Sequence, residues 1–472
     1  MIPAEPSRAA NQAVRRAKQG TVPQTPSATA DPELARRLVS RPAESGYVSR
    51  MSDAVVPGGT HCRVCDTPLE LTMVDLGKSP LCESFLAADR VETMEPFYPL
   101  HVRVCTECWL AQLPSFVPPD EIFEEYAYFS AYSDSWVEHS RAYAEMITDR
   151  LSLSPESLVV ELASNDGYLL QHFLPLGIPV LGIDPAANVA RAAEERGVPT
   201  LVEFFGADLA TRLVRERGPA DLVLGNNVLA QVPDLNDFVR GVATLLAPTG
   251  TATFEFPHLA RLLENLQYDT IYHEHFSYFS LTSIVAAFGA QGLDVVDVEE
   301  LPSHGGSLRV YAAQASEGRT PAPAVAELVA REDTEGLRDP DRYLRFAEEV
   351  EESKRALLEL LIDLRRDGKQ VVGYGAPGKG NTLLNYCGIR TDFLEYTVDR
   401  NPYKHGRFTP GTHIPIHPPE RIAETKPDAI LILPWNLARE ISEQLAYTNE
   451  WGAQLIVPIP TATVLEPTHI AS

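Results

Sequence analysis

From residue 155 onward, short apolar runs alternate with amphipathic stretches, and no other feature of the chain constrains its fold as tightly. Residues 157–162, 179–183, 220–225 and 249–256 read as strands, being short, largely apolar and bounded by Gly, Pro, Asn or Asp. Between them, residues 166–174 begin a helix, and 186–196 and 235–246 carry apolar side chains at helical spacing. Strands and helices alternating at this pitch predict an α/β fold built on a parallel, doubly wound sheet. At 472 residues the chain is too long for one hydrophobic core, so this sheet accounts for only part of it.

Ligands of doubly wound sheets sit at the carboxyl ends of the strands. There the sequence places Glu161, Ser164, Asn165, Asp166 and Gly167, then Asp184 and Pro185, then Asn226 and Asn227. The first turn has Gly167 alone where a pyrophosphate binder has a full set of glycines, so its backbone would crowd two phosphates. Asp184 falls 23 residues after Glu161, where a carboxylate can accept both hydroxyls of a ribose. A nucleoside fits these loops better than a dinucleotide. An acid, a turn with one glycine and a second acid form the arrangement of a class I S-adenosylmethionine (SAM) methyltransferase. The competing reading has Asp184 simply capping the next helix.

Ahead of the sheet stand two cysteine pairs, Cys62 with Cys65 and Cys105 with Cys108. Two residues between cysteines let both thiolates of a turn reach one tetrahedral ion, and two such turns complete a four-sulfur shell. That shell leaves no open position for water or substrate, so the expected Zn2+ is structural. The 39 residues between the pairs read as an insertion in a zinc ribbon, and Cys82 within it as a buried apolar thiol. Five of the six cysteines fall between Cys62 and Cys108, which points to metal in a reducing, cytoplasmic setting rather than to a disulfide scaffold.

The first 50 residues carry eight Lys or Arg against four acids and a single aromatic, Tyr47. So few large apolar groups cannot offset the entropy of ordering, and residues 1–50 read as a disordered, dispensable tail ahead of an alternative start at Met51. The whole chain has 40 basic and 65 acidic residues, a net charge of −25 that repels a phosphate backbone and argues against nucleic acid as a partner. No apolar run approaches the roughly 18 residues of a membrane helix, so no membrane partner is expected.

Residues 272–278 form the densest polar and aromatic cluster: Tyr272, His273, Glu274, His275, Phe276, Ser277 and Tyr278. Two histidines flanking a glutamate offer a base that works near neutral pH and a carboxylate to orient it. On a strand, His273 and His275 could instead share a metal, and a polar loop packed over the sheet is the bland alternative. Farther on, residues 341–367 read as a charged, solvated helix and 370–374 as a strand running into Gly373, Gly375 and Gly378. This dinucleotide-like spacing is weak evidence alone, and the Ser or Thr of a phosphate-binding P-loop is missing after Lys379. A helix at 381–386 would present free backbone amides suited to a phosphate.

Taken together, the cysteine pairs, the 161–167 turn, residues 272–275, the run Ser303, His304, Gly305, Gly306, Ser307, Leu308 and Arg309, residues 375–382 and residues 399–402 resemble the SAM-dependent C-methyltransferases of deoxysugar biosynthesis. The resemblance runs over residues 60–465. It implies three parts beyond the tail: a zinc-binding domain at 58–120, a SAM-dependent methyltransferase domain at 121–318 and a C-terminal Rossmann-like domain at 319–472. It also implies the reaction, methylation of C3 of a dTDP-linked 4-keto-deoxysugar through an enolate.

In that setting His275 would take the C3 proton, Glu274 would orient or charge-stabilise its ring, and Tyr272 would donate toward the enolate oxygen. Tyr126 matches a family tyrosine that reaches the site; plain aromatic packing is its alternative. SAM would lie on Glu161, Ser164, Asn165, Gly167, Asp184 and Asn226. The sugar nucleotide would lie on Gln231, His304, Gly305, Ser307, Arg309, Lys379, Asn381 and Arg407. One position departs from the family: many relatives carry His where this chain has Gln231, which can hydrogen-bond a sugar but cannot take a proton near neutral pH. The alternatives are methylation of another nucleotide-linked sugar or small molecule, and an NAD-dependent oxidoreductase using Gly373–Gly378.

Overall fold

The computed structural model describes residues 59–117 and 130–465. The 1–50 tail and Tyr126 lie outside the described residues, all of which belong to one compact unit, Val55–Ser472. The described residues form three sheets.

In the first, β1 (Leu71–Ser79), β2 (Tyr98–Val104) and β3 (Ala111–Gln112) run antiparallel beside the two cysteine turns. The insertion between the cysteine pairs therefore supplies the two long strands of this sheet, and its loop also reaches the C-terminal part of the chain. Leu86 and Phe408 exchange backbone hydrogen bonds of 3.0 and 2.9 Å, and Glu95 accepts from the Gly411 amide at 3.0 Å.

The central sheet takes β4 (Val159–Leu162), β5 (Val180–Ile183), β6 (Thr200–Leu201), β7 (Ala220–Asn226) and β8 (Leu246–Pro257), all parallel. The chain then returns to the first sheet as β9 (Ser277–Tyr278), antiparallel to β3. Next, β10 (Leu293–Leu301) and β11 (Ser307–Gln314) extend the central sheet, with β11 antiparallel to β8. The order is β10-β11-β8-β7-β4-β5-β6. The winding reverses between β4 and β7, so their carboxyl ends flank the switch-point crevice where such sheets bind ligands. The alternation from residue 155 thus gives the expected parallel sheet over β4–β8, with two differences: β10 and β11 join it antiparallel, and one expected helix is absent. Residues 166–174 form no α-helix but short 3-10 turns at Leu170–His172 and Leu174–Leu176; Pro175 starts the second and Gly177, at φ 71°, closes it.

The third sheet comprises β12 (Val371–Tyr374), β13 (Thr397–Val398), β14 (Ile416–His417), β15 (Ala429–Ile432), β16 (Gln454–Val457) and β17 (Thr463–Leu465), with β17 alone antiparallel to its neighbour. The long helix Pro340–Arg366 precedes it. A single core joins the first and third sheets: Met73, Val102, Tyr268, Tyr343, Leu383 and Leu431 belong to one buried cluster. Among the described residues no helix is long and apolar enough to cross a membrane.

Candidate active site

At the switch point Glu161 closes β4, fully buried. Burial first and then Asp184 push its carboxyl well above the usual range, with Tyr168 opposing. The turn after it is held in left-handed backbone at Ala163 (φ 57°), Asn165 (φ 48°) and Gly167 (φ 75°). A Cβ on Gly167 would stand 3.1 Å from the Val198 side chain and 3.2 Å from Ala193, so the close pass of the turn over the next helix requires glycine. Asp184 ends β5 with one carboxylate oxygen on the Asn165 amide and the other on the Ala186 amide, both at 2.9 Å. It is therefore fixed to the turn as well as to the start of the next helix. Burial raises its pKa too. Around these acids, Ser164 Oγ, Asp166 Oδ1, Asn226 Nδ2 and Asn227 Oδ1 are buried with no hydrogen-bond partner. Buried polar atoms are paired in finished structures. A crevice of acids with unmet donors and acceptors therefore fits a ligand rich in hydroxyl and amino groups, as SAM is.

The helix Asp134–Leu151 docks on this turn. The Ser130 amide donates to Asn165 Oδ1 at 3.0 Å, and Trp136 stacks on Tyr168 at 6.2 Å and on His139 at 4.9 Å. His139 Nε2 lies 2.8 Å from Glu255, a buried carboxylate of β8 that also accepts from Ser303 Oγ at 2.7 Å and Arg309 Nη2 at 2.8 Å. Those donors hold its pKa below the usual carboxylate range despite burial. Arg309 and Ser307 are both buried; Ser307 Oγ donates to the Ser303 carbonyl at 2.9 Å. His304, at φ 54°, meets the Trp136 ring edge-on at 5.0 Å. Gly305, at φ 89°, sits where a Cβ would strike Gln267 and Trp435.

His273 and His275 lie in one loop but do different things. His273 is 4 % exposed and its Nε2 donates to the Tyr98 carbonyl of β2 at 3.2 Å. His275 Nδ1 stands 3.1 Å from the Thr270 carbonyl. A carbonyl can only accept, so Nδ1 carries the ring proton and Nε2 keeps a lone pair. Burial lowers the pKa of each ring to about 4. The Tyr272 ring lies 4.1 Å from His275. Glu274 takes a place other than the one expected of it. Its carboxylate is 3.8 Å from Cys82 Sγ, and the group holding His275 is the Thr270 carbonyl. Cys82 is buried as expected, with the carboxylates of Glu274 and Glu83 near it. Gln231 lies one residue from Ala230, whose carbonyl accepts from the Phe276 amide at 2.6 Å.

The third sheet brings Lys379 to the same side. It donates to Asn436 and lies 4.7 Å above the Trp435 ring, whose Nε1 donates to buried Asp269 at 2.7 Å. Glu83 stands at the glycine loop and accepts from the Gly378 amide, and a Cβ on Gly378 would lie 2.9 Å from Cys82 Sγ and 3.0 Å from Glu83 Oε1. The Ala376 amide donates to Asp399 at 2.7 Å. Asn381 is buried, its Nδ2 on the Cys82 carbonyl at 2.6 Å, and Arg407 is exposed on the surface. Carboxylates at the loop disfavour a dinucleotide phosphate there. Sequence reasoning missed Trp136, His139, Asp269 and Trp435. It also missed Glu255, although a lone acid among Phe254, Phe256 and Thr253 was a visible signal.

The four cysteine sulfurs lie within 4.8 Å of one another, with Cys62–Cys108 and Cys65–Cys105 at 3.4 Å. Zn–S bonds of about 2.3 Å in a tetrahedron place sulfurs about 3.8 Å apart. The set fits structural zinc, and among the described residues no other group of three or more His, Cys, Asp and Glu does.

Family models match along the chain: a zinc-binding domain over residues 62–123, a methyltransferase domain over 136–298 and a C-methyltransferase C-terminal domain over 302–460. The chain is 40 % identical over 415 residues to C-methyltransferase NovU of Streptomyces niveus, covering 88 % of this chain and 99 % of that one. Among solved structures, the PH0226 protein of Pyrococcus horikoshii aligns at 16 % identity and TM-score 0.34, covering 41 % of this chain and 98 % of that one. A SAM-dependent methyltransferase of Clostridium acetobutylicum aligns at 11 % identity and TM-score 0.31, covering 38 % of this chain and 92 % of that one. On its likeness to a relative over nearly that protein's whole length, the chain belongs to the C-methyltransferase family and is a SAM-dependent, zinc-binding C-methyltransferase.

Proposed function

We propose that the enzyme methylates C3 of a dTDP-linked 4-keto-deoxysugar in the cytoplasm, with His275 Nε2 as the base. The observation carrying this reading is the Nδ1 contact to Thr270, which leaves Nε2 unprotonated on a ring whose centre lies 4.1 Å from that of Tyr272. A C–H next to a ketone is acidic because the carbonyl takes the charge as an enolate. His275 removes that proton, the C–H electron pair moves toward the 4-keto oxygen, and the Tyr272 hydroxyl donates there. Bound SAM supplies an electrophilic methyl group. Glu161, Ser164, Asn165, Gly167, Asp184 and Asn226 would hold it at the crevice between β4 and β7.

On this reading Gln231, His304, Gly305 and Lys379 bind the sugar nucleotide. Arg309 and Ser307 act through Glu255 and Ser303, and Asn381 acts through the Cys82 segment. Arg407 offers a surface cation and Tyr126 a second hydroxyl. Glu274 steadies the loop rather than the imidazole. The test is incubation with methyl-deuterated SAM and a panel of dTDP-4-keto-deoxysugars, with the product located by NMR. A trideuteromethyl group on C3 is the expected result; label on another carbon, or on no sugar, overturns the assignment.

A further inference from the structure

The base-bearing loop is stitched into the zinc-side sheet at both ends. Before His275, His273 donates to Tyr98 of β2; after it, Ser277 and Tyr278 pair with Gln112 and Ala111 of β3. The Leu113 amide donates to the Phe276 carbonyl at 2.9 Å, and the Phe276 amide reaches Ala230. One side chain spans these pieces. Arg63 sits between the first two cysteine ligands, and its guanidinium donates to the Leu113 carbonyl, to Pro233 at 3.3 Å and to Val232 at 3.5 Å. The same guanidinium lies 5.7 Å over the Phe276 ring. Gln112 closes the circle by accepting from the Arg63 amide at 3.0 Å and donating to Cys62 Sγ at 3.3 Å. From the methyltransferase side, Asn236 Nδ2 donates to the Val64 carbonyl at 3.0 Å.

We propose that Arg63 is a positioning residue for methyl transfer: the metal-ordered turn fixes its guanidinium, which sets the Gln231 segment and the His275 loop against each other. The planar, multi-donor guanidinium suits three carbonyls from two segments, a task that a point-charge ammonium cannot fill. The proposal rests on His275 being the base. It assigns the zinc a second consequence, control of the base loop, while SAM binds elsewhere at the β4/β7 crevice.

The test compares Arg63→Met, Arg63→Lys, Asn236→Ala and His275→Asn in the full-length, zinc-loaded enzyme. It reads zinc content, SAM affinity by calorimetry, and deuterium wash-in at the sugar carbon without SAM. Arg63→Met should keep its zinc and its SAM affinity but lose wash-in on the order of 10²-fold, the scale of an ångström-level misplacement. Arg63→Lys should recover part of that loss. Asn236→Ala, which removes a second tie between the cysteine turn and the methyltransferase side from a position outside that turn, should lose several-fold even if Arg63→Met fails to fold. Undiminished wash-in in both Arg63→Lys and Asn236→Ala, with His275→Asn inactive, overturns the positioning role alone. Undiminished wash-in in His275→Asn overturns the underlying base assignment instead.

Discussion

His275 donates a hydrogen bond from Nδ1 to the Thr270 carbonyl five residues earlier at 3.1 Å, so the backbone of its own loop determines which nitrogen can act as a base. No carboxylate is needed to set the tautomer. The ring also lies deep enough in protein for its pKa to fall to about 4. It is therefore neutral, and able to accept a proton, throughout the neutral range.

Asp184 should matter for the cofactor and not for the metal. Replacing it with Ala removes a charged acceptor worth roughly 1.5–3 kcal/mol, so SAM affinity should fall by about 10- to 100-fold. Calorimetry with SAM reads the loss, and zinc content should be unchanged. SAM binding as tight as in the native enzyme would remove Asp184 from the cofactor site.

Glu255 should matter for stability. It is 1 % exposed and faces Arg309, 5 % exposed, across the β8–β11 register. Glu255→Ala removes the buried carboxylate and leaves Arg309 only the half-exposed Glu299, 3.3 Å from its other nitrogen, which should cost roughly 1–3 kcal/mol in urea unfolding. A loss under about 1 kcal/mol would show that water replaces the carboxylate freely.

Zinc should be bound at about one ion per chain through Cys62, Cys65, Cys105 and Cys108. Metal binding is also folding free energy, so chelation or Cys105→Ser should lower the melting temperature. Because the first sheet shares its core with Leu383 and Leu431 of the C-terminal part, the loss should spread beyond the cysteine turns. Amide exchange in β12 and β15 that stays unchanged on chelation would contradict that coupling.

Much of this was legible in the sequence, for physical reasons. Cysteines two residues apart, and carboxylates at strand ends spaced by one βαβ step, reflect local geometry that survives any context. The Glu161 turn, Asp184 and the four-sulfur site accordingly stand where periodicity and spacing place them. What sequence could not reveal was which distant groups meet. Glu274 is adjacent to His275 in the chain but lies 3.8 Å from Cys82, 192 residues away. The glycine loop has the spacing of an anion site, yet Glu83 stands against it. Pro175 and Gly177, visible in the sequence, stop any helix just beyond residue 174, while the left-handed backbone at Asn165 and Gly167 interrupts its start.

Glu274 gives a pH signature. Burial, then the charge of Glu83, raises its carboxyl from 4.5 to about 7. A group that holds its proton more tightly when folded contributes most below its unfolded value and loses that contribution as pH rises through the folded one. The native chain should therefore lose stability between about pH 5 and pH 7 on this account, and Glu274→Gln should lose less. Thermal unfolding at pH 5, 6.5 and 8 checks it; identical pH slopes in the two proteins would contradict the assignment.

The most direct test is deuterium wash-in at C3 of a dTDP-4-keto sugar with SAM omitted, measured against pH in the native enzyme and in His275→Asn. The native rate should stay level from about pH 8 to pH 6 and fall only toward pH 4, following the lowered pKa. His275→Asn should lose roughly 10²–10⁴ in rate while still binding SAM. Wash-in that persists at the native rate in His275→Asn would contradict the account and move the base to another group of the loop.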